Sequence, residues 1–213
     1  LDGLDIAYVH LQERAASAKQ SARSWEFELK HTACYPYPDD WSKPLAAAPA
    51  LSALDYQLLH VEYGHFLGEQ VLRFIEESGV HFNVQLIVSH GHTAFHWPSR
   101  KMTAQLGDGA AIAATARINV VSDLRAMDLA LGGQGAPIVP IGEQLLLPGY
   151  DLFLNLGGIA NVSKHGGAAA GGFLAFDVCP ANRVLNGLAE LERMAYDAGG
   201  ALAVSGKVDH TLL

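Results

Sequence analysis

The clearest pattern of apolar and polar positions lies between residues 151 and 182, where short apolar runs alternate with glycine-rich turns. Three runs have the length of a β-strand: residues 151–155, 159–163 and 173–176. Gly157-Gly158 separates the first two runs, and Gly166-Gly167 and Gly171-Gly172 separate the last two. The spacing predicts three antiparallel strands followed by a helix, with Pro180 at its start.

The pattern upstream predicts an alternation of strands and helices. Apolar residues at helical spacing predict a long amphipathic helix over residues 51–78, which Ser78-Gly79 ends. Asp108 is expected to cap a second helix that runs through Ala116. Extended segments are predicted at residues 4–11, 25–29, 86–89, 103–106 and 118–121. Polar or turn-forming composition predicts connections at residues 35–43, 90–96 and 123–140.

The order of these elements appears twice, with the second set beginning near residue 150. It predicts an α/β protein with a first domain over residues 1–150 and a second over 151–213, with a ligand cleft between them. The first set lacks one strand, which would precede Leu1. Because the chain starts without methionine and ends on Leu212-Leu213, we expect it to be a piece of a longer protein.

Charge and composition narrow the classes of function. The chain has 213 residues, 14 basic and 22 acidic side chains, and a net charge of -8. This balance excludes a basic face for nucleic acid and an attraction to anionic membranes, so a small-molecule ligand is expected. Only Cys34 and Cys179 are present, far apart, and no segment resembles a signal peptide or a membrane span. We therefore expect a cytoplasmic protein.

Two features of the glycine-rich segment are candidates for chemistry. The Gly157-Gly158 turn has no Cβ atoms, so its NH groups could approach a phosphate closely, although an ordinary hairpin would have the same sequence. Asp177 follows an apolar run and precedes the predicted helix. Its carboxylate is expected at the carboxyl end of a strand, where ligands collect in α/β sheets.

Other constellations leave alternatives open. His90, His92 and His96 lie close in sequence, and a His-x-His pair can ligate zinc. No nearby Cys or Glu completes a ligand set, so we predict a polar substrate loop and no metal. Arg125 and Asp128 precede a glycine-rich turn and could either hold a sugar or phosphate or form an ion-paired hinge. Cys179 has no neighbouring histidine, so a buried thiol is expected rather than a nucleophile.

Six stretches together resemble one family. In chain order they are SHGHTAFH, LGDGAAIA, DLRAMDLALGGQGAPIVP, NLGGIANVS, FDVCPAN and YDAGG, and they are similar to motifs of the anhydro-N-acetylmuramic acid kinases. Residues 1–5, LDGLD, resemble the end of that family's Gly-Thr-Ser-x-Asp-Gly-x-Asp phosphate loop. The resemblance implies the actin-like and hexokinase-like ATPase fold, in which two RNase H-like domains surround a nucleotide cleft.

The resemblance also implies a reaction and a set of roles. Water would attack the anomeric carbon of a 1,6-anhydro sugar, and the released O6 would take the γ-phosphate of ATP with Mg²⁺, giving N-acetylmuramic acid 6-phosphate. Asp177 matches the catalytic base. The motif matches assign phosphate binding to Asp2, Gly3, Asp5, Gly157, Gly158 and Asn161. Motif and chemistry together make Thr93, Arg125 and Asn182 candidates for the sugar side. A homodimer is left open.

The chain departs from the family pattern at several positions. His92 replaces a glutamine, and Val178, Cys179 and Ala181 replace residues of Phe-Asp-Thr-Gly-Pro-Gly-Asn. The loss of two glycines stiffens the turn after Asp177. Two alternatives therefore stay open: a kinase for another anhydro sugar such as levoglucosan, and a catalytically inactive sugar-binding protein of the same fold.

Overall fold

The computed structural model describes residues 3–14, 24–165 and 173–211. The chain divides into two compact units, Leu1–Ile138 and Val139–Leu213. Both combine helices with β-sheet, so the α/β class is confirmed. The domain division predicted from the sequence, 1–150 and 151–213, stays a prediction. Asp2 and the predicted glycine turns between residues 166 and 172 lie outside the described residues.

A long hairpin opens the first unit. Strand β1 (Gly3–Arg14) pairs antiparallel with β2 (Ser24–Pro36). Both contain the predicted extended segments and extend beyond them. Gly3 pairs with Pro36, and a Cβ atom at Gly3 would lie 2.7 Å from the Tyr35 carbonyl oxygen. Close packing against β2 therefore explains the glycine at this position.

Two helices follow the hairpin. Helix α1 (Asp39–Ala47) occupies part of the segment predicted as a loop, so that prediction was wrong. Pro38 stands at its N-cap, and Asp39 and Asp40 lie in its first turn, where carboxylates are favoured by the helix dipole. Helix α2 (Ala53–Ser78) confirms the predicted long helix: the Ser52 side chain caps it, and Gly79 ends it in the left-handed conformation.

The rest of the first unit contains two small sheets. Strand β3 (Leu86–Val88) pairs in parallel with β6 (Asn119–Val121). Strand β4 (His92–Trp97) pairs antiparallel with β5 (Met102–Leu106). The prediction of a polar loop over residues 90–96 was wrong, because threonine and aromatic side chains in this segment favour a strand and β5 supplies its partner.

The first unit has its core around α2. Helix α3 (Gly109–Ala116), which Asp108 caps as predicted, packs on α2. Buried side chains from α1, α2, β5 and α3 form one cluster; its largest members include Leu45, Tyr63, Leu67, Leu106 and Ile112. Helix α4 (Leu124–Ala130) follows β6 and contacts β5. It lies in the stretch that the sequence predicted as turn-rich.

The second unit is built on a three-stranded antiparallel sheet. Helix α5 (Val139–Leu146) precedes strands β7 (Leu152–Leu156), β8 (Ile159–His165) and β9 (Phe173–Pro180), and helices α6 (Asn182–Leu191) and α7 (Ala201–Ser205) follow them. The sheet order β7-β8-β9 confirms the prediction of three antiparallel strands. Two details were wrong: Asp177 lies inside β9 rather than at its end, and Pro180 ends the strand rather than opening α6.

The register gives this sheet one apolar and one more polar face. Leu154 pairs with Val162, which pairs with Phe176, so these three side chains share one face. Asn155 pairs with Asn161, which pairs with Asp177, on the other face. Ser163 lies on that second face and donates a hydrogen bond to Glu143 of α5, so α5 packs there. Among the described residues, no helix is long and apolar enough to span a bilayer.

Candidate functional site

The polar face of the second unit carries a row of three side chains across the sheet. Asn155 of β7, Asn161 of β8 and Asp177 of β9 are successive cross-strand partners. Directly paired residues place their Cβ atoms about 5 Å apart, so the two amides and the carboxylate are neighbours. The register thus brings together Asn161 and Asp177, both named from the sequence, and adds Asn155, which was not.

A β-bulge follows Asp177 directly. Asn161 pairs with Asp177, but the preceding residue Ala160 pairs with Cys179, so Val178 is the extra residue. Bulges bend a strand and redirect side chains next to functional sites. The Asp177 side chain is exposed and makes no hydrogen bond or ion pair with any described residue. Its carboxylate oxygens are therefore available to a ligand.

The Gly157-Gly158 turn lies at the end of the sheet nearest this row. Its carbonyl oxygens point to the start of α6: Gly157 accepts from the Asn182 NH at 3.1 Å, and Gly158 accepts from the NH groups of Ala181 and Arg183 at 3.0 and 3.1 Å. The Asn182 side chain makes a long contact of 3.5 Å with the Leu156 oxygen. The turn and the helix start are thus tied together, and Asn182 belongs to the same end of the sheet.

Neither glycine of this turn is required by the fold of the described residues. Neither has a positive φ, and a Cβ atom would meet nothing within 4 Å at Gly158 and only the Ile159 oxygen, at 3.7 Å, at Gly157. In the described part of the chain, neither glycine NH donates a turn or loop hydrogen bond. The turn is therefore open, and both of its NH groups are available to donate to a ligand.

A second polar cluster lies in the first unit, on the β4–β5 hairpin. The Arg125 Nη1 atom donates to the Thr93 Oγ1 atom at 2.8 Å, although the two residues are 32 positions apart. Thr93 lies on β4, and Arg125 lies in the first turn of α4. The structure therefore joins these two sugar-side candidates directly.

Arg125 and Asp128 both hold the turn that follows α4. Arg125 Nε donates to the Gly135 carbonyl at 2.8 Å, and the Asp128 carboxylate accepts from the Gly135 NH at 2.7 Å. Gly135 has a φ of 69°, a conformation that glycine adopts without strain. No ion pair joins Arg125 to Asp128 or to any other acid that the structure describes. The ion-paired hinge considered from the sequence was therefore wrong.

Two further side chains, Gln105 and His96, lie on the same hairpin. Gln105 of β5, only 7% exposed, donates to Thr103 at 2.7 Å and to Thr93 at 3.4 Å, while its Oε1 atom has no partner in the described residues. His96 contacts Thr103 through Nδ1 at 3.3 Å. Burial lowers the pKa of His96, and the nearby Arg125 charge lowers it further. Burial likewise lowers the pKa of Arg125.

The remaining sequence candidates lie elsewhere. Gly3 and Asp5 are in β1, where Asp5 is exposed and pairs with Cys34. Cys179 is exposed, so the expectation of a buried thiol was wrong. Within the ranges that the structure describes, no three His, Cys, Asp or Glu side chains are placed to hold a metal ion, and the prediction that the histidines bind none stays a prediction.

Comparison with known proteins gives the family. The model of the family "Anhydro-N-acetylmuramic acid kinase" matches residues 1–213, the whole chain. The chain belongs to the anhydro-N-acetylmuramic acid kinase family. The kinases of that name from Rhizorhabdus wittichii and Gloeobacter violaceus are each 35% identical over 100% of this chain, covering 59% and 58% of their own lengths. The one from Shewanella amazonensis is 40% identical over 70% of the chain.

The chain thus spans about three fifths of the curated anhydro-N-acetylmuramic acid kinases that it matches along its full length. Its described part contains two polar clusters, one in each unit. Sequence reasoning missed Asn155 and Gln105. Asn155 and Asn161 each lie three positions from Gly158, so a hairpin centred on that residue pairs them. Thr103 and Gln105 alternate with apolar residues along β5.

Proposed function

We propose that the full-length protein is an anhydro-N-acetylmuramic acid kinase. It would cleave the 1,6-anhydro bridge with water and phosphorylate O6 with ATP, giving N-acetylmuramic acid 6-phosphate for the recycling of cell-wall sugars. Family membership over residues 1–213 supports this class of enzyme. At the level of single residues, the proposal rests on Asp177. Its carboxylate is exposed, has no partner among the described residues, and lies in a polar row beside the open Gly157-Gly158 turn.

Asp177 is proposed as the general base. Hydrolysis of the bridge requires a group that takes a proton from water as the C1–O6 bond breaks. A carboxylate held in an ion pair would have to lose its partner first, whereas Asp177 has none among the described residues. The amide of Asn155 stands on the same face and can hold the water or a sugar hydroxyl near the carboxylate.

Gly157, Gly158 and Asn161 are proposed to hold ATP phosphates from this unit, and Asp2, Gly3 and Asp5 from the first. The unused NH groups of the Gly157-Gly158 turn support the first assignment. Bound Mg²⁺ would neutralise phosphate charge during transfer. The proposal is that both segments, residues 2–5 and Gly157-Gly158, face one cleft between two RNase H-like domains of the actin-like ATPase fold. A structure of the full-length protein with these two segments on opposite sides would contradict it.

Thr93, Arg125 and Asn182 are proposed to contact the sugar. The Thr93–Arg125 hydrogen bond supports treating the first two as one site. A cytoplasmic location completes the proposal and agrees with the exposed Cys179 thiol, which forms no disulfide.

The test is the Asp177→Asn substitution in the full-length protein. The amide keeps the size of the side chain but cannot accept a proton, so ATP and sugar should bind as before while turnover falls by about 100-fold or more. Binding is measured by calorimetry, and turnover by release of ADP and mass spectrometry of the sugar phosphate. Asp151→Asn changes an exposed carboxylate in the same unit and serves as the control.

Three results would separate the alternatives. Near-normal turnover of Asp177→Asn would show that Asp177 is structural. Phosphorylation of levoglucosan in preference to the N-acetylmuramic acid derivative would replace the substrate. Sugar binding by the unmodified protein without ADP release would instead identify a binding protein.

A further inference from the structure

The backbone ties Arg183 to the Gly157-Gly158 turn. Arg183 is the second residue of α6, and its NH donates to the Gly158 carbonyl oxygen at 3.1 Å. Its long side chain starts from this point, is exposed, and makes no hydrogen bond or ion pair with any residue that the structure describes. The guanidinium is therefore available to a ligand that lies at the turn.

The stability of α6 does not explain an arginine at this position. The first turn of a helix carries the positive end of the helix dipole, so a cation there is unfavourable and a carboxylate is favourable. The first turn of α6 contains Arg183 and no acidic residue. In the described ranges no acid elsewhere pairs with Arg183 either. An anion from outside the protein would remove the unfavourable interaction.

The backbone at the start of α6 has no NH group left for such an anion. The NH groups of Ala181, Asn182 and Arg183 all donate to the carbonyl oxygens of Gly157 and Gly158, at 3.0 or 3.1 Å. The next two NH groups of the helix donate to the Ala181 carbonyl oxygen. An anion at this place would therefore be held by the NH groups of the glycine turn and by the Arg183 side chain.

The charge balance of the second unit makes a cation at the turn necessary for a nucleotide. Residues 139–213 contain seven acidic and only four basic side chains. Lys164 lies near the far end of β8, and Arg193 and Lys207 follow α6. The carboxylate of Asp177 lies in the polar row beside the turn, where it would repel a phosphate. Arg183 is the basic residue whose backbone the fold holds at the turn.

We propose that Arg183 binds a phosphate of ATP at the Gly157-Gly158 turn and offsets the negative charge of Asp177. The inference rests on the proposed function and adds a residue to the nucleotide site. The planar guanidinium matches two phosphate oxygens, and the NH groups of the turn can hold others. Arg183 then strengthens the binding of ATP and leaves the binding of the sugar unchanged.

The test compares Arg183→Gln and Arg183→Lys with the wild-type full-length protein. Calorimetry with ATP, in the absence of sugar, should show binding that is about 10- to 100-fold weaker in Arg183→Gln, the usual range for a hydrogen bond to a charged group. Arg183→Lys keeps the charge but loses the fork, so its loss should be smaller. The KM for ATP should rise in the same order, and the KM for the sugar should not change.

Arg193→Gln is the matched control. Arg193 is exposed, belongs to the same unit and lies ten residues after Arg183, about 15 Å further along at the rise of a helix. Its replacement changes the net charge equally and should leave the affinity for ATP unchanged. An equal loss of ATP affinity in both variants would assign the effect to net charge and overturn the proposal.

The melting temperature separates a phosphate contact from a structural role. Arg183→Gln removes an unfavourable charge from the first turn of α6, so its melting temperature should stay or rise. A lower melting temperature together with weaker ATP binding would show a structural role and refute the inference.

The remaining outcomes distinguish the inference from the proposed function. If the wild-type protein phosphorylates the sugar and Arg183→Gln keeps its affinity for ATP, the inference fails and the kinase stands. If the wild-type protein releases no ADP, the proposed function fails, and calorimetry with ATP decides the role of Arg183 by itself.

Discussion

The contact between α2 and α3 allows a quantitative test of the fold of the first unit. Gly64 lies in the middle of α2, and a Cβ atom there would stand 2.6 Å from the Asp108 carbonyl oxygen and 2.9 Å from the Ala111 Cβ atom. Ordinary contacts begin at 3.4 Å, so Gly64→Ala requires a shift of about 0.8 Å in the backbone where α3 begins. Backbone yields less easily than a side chain, and this backbone also carries the helix cap.

Two opposing effects set the magnitude. Alanine is favoured over glycine in a helix interior by about 1 kcal/mol. Overpacking of a tight contact costs about 1–3 kcal/mol, and rigid backbone on the far side points to the upper half of that range. Gly64→Ala should therefore destabilise the protein by about 1–2 kcal/mol. Gly187→Ala in α6 has nothing within 4 Å and should instead stabilise by up to about 1 kcal/mol.

Scanning calorimetry of the full-length protein measures both variants, with circular dichroism to verify helix content. The unit that unfolds with α2 should melt at a lower temperature in Gly64→Ala, and the transition of α6 should rise or stay in Gly187→Ala. Equal stabilisation by the two substitutions would refute the close approach of α2 and α3, since helix propensity alone would then account for the results.

Two other predictions concern the glycine turn and His92. Gly158→Ala should leave the melting temperature unchanged, because its Cβ would meet no atom within 4 Å, but it should weaken ATP binding about 10-fold or more if phosphates lie against the turn; unchanged ATP affinity would remove the turn from the nucleotide site. Burial lowers the pKa of His92 in the folded protein, so the unfolded chain takes up the proton first as the pH falls below about 6.5. Stability is then lost between that pH and the lower folded pKa, and His92→Gln should reduce this loss in denaturation measured from pH 7.5 to 5; an identical slope would contradict the argument.

The sequence predicted those helices and strands whose apolar spacing, caps and turns all lie within one short stretch of the chain. Helix α2 has apolar spacing, a capping serine and a terminal glycine, and β7, β8 and β9 have glycine turns between apolar runs. Helix α1 was missed because two prolines suggested a loop, although Pro38 and the two aspartates after it are also a helix start. Strand β4 was missed because its polar residues become a strand by pairing with β5. That pairing cannot be seen in the composition of the segment.

The candidate sites were predictable only in part for the same reason. Asn155, Asn161 and Asp177 lie in one row because a hairpin fixes their register, and that register follows from a short turn visible in the sequence. The contact between Arg125 and Thr93 spans 32 positions and depends on how α4 packs against β5. Such a long-range contact leaves no periodic pattern in the sequence. Both residues were therefore predicted as site candidates, but the hydrogen bond between them was not.

Asp177 and Arg125, neither of which has an oppositely charged partner among the described residues, support the proposed function to different degrees. The chain has 22 acidic side chains and 14 basic ones, so acids must outnumber available cations and an exposed, unpartnered Asp177 is ordinary. An arginine in the same chain has an excess of acids to pair with, yet Arg125 is half-buried and bonded only to neutral oxygens in the described structure. The lack of an acidic partner is therefore more unusual for Arg125 than for Asp177. Asp177, by contrast, takes its role from the family motif and its row of amides, and turnover of the Asp177→Asn variant has to decide it.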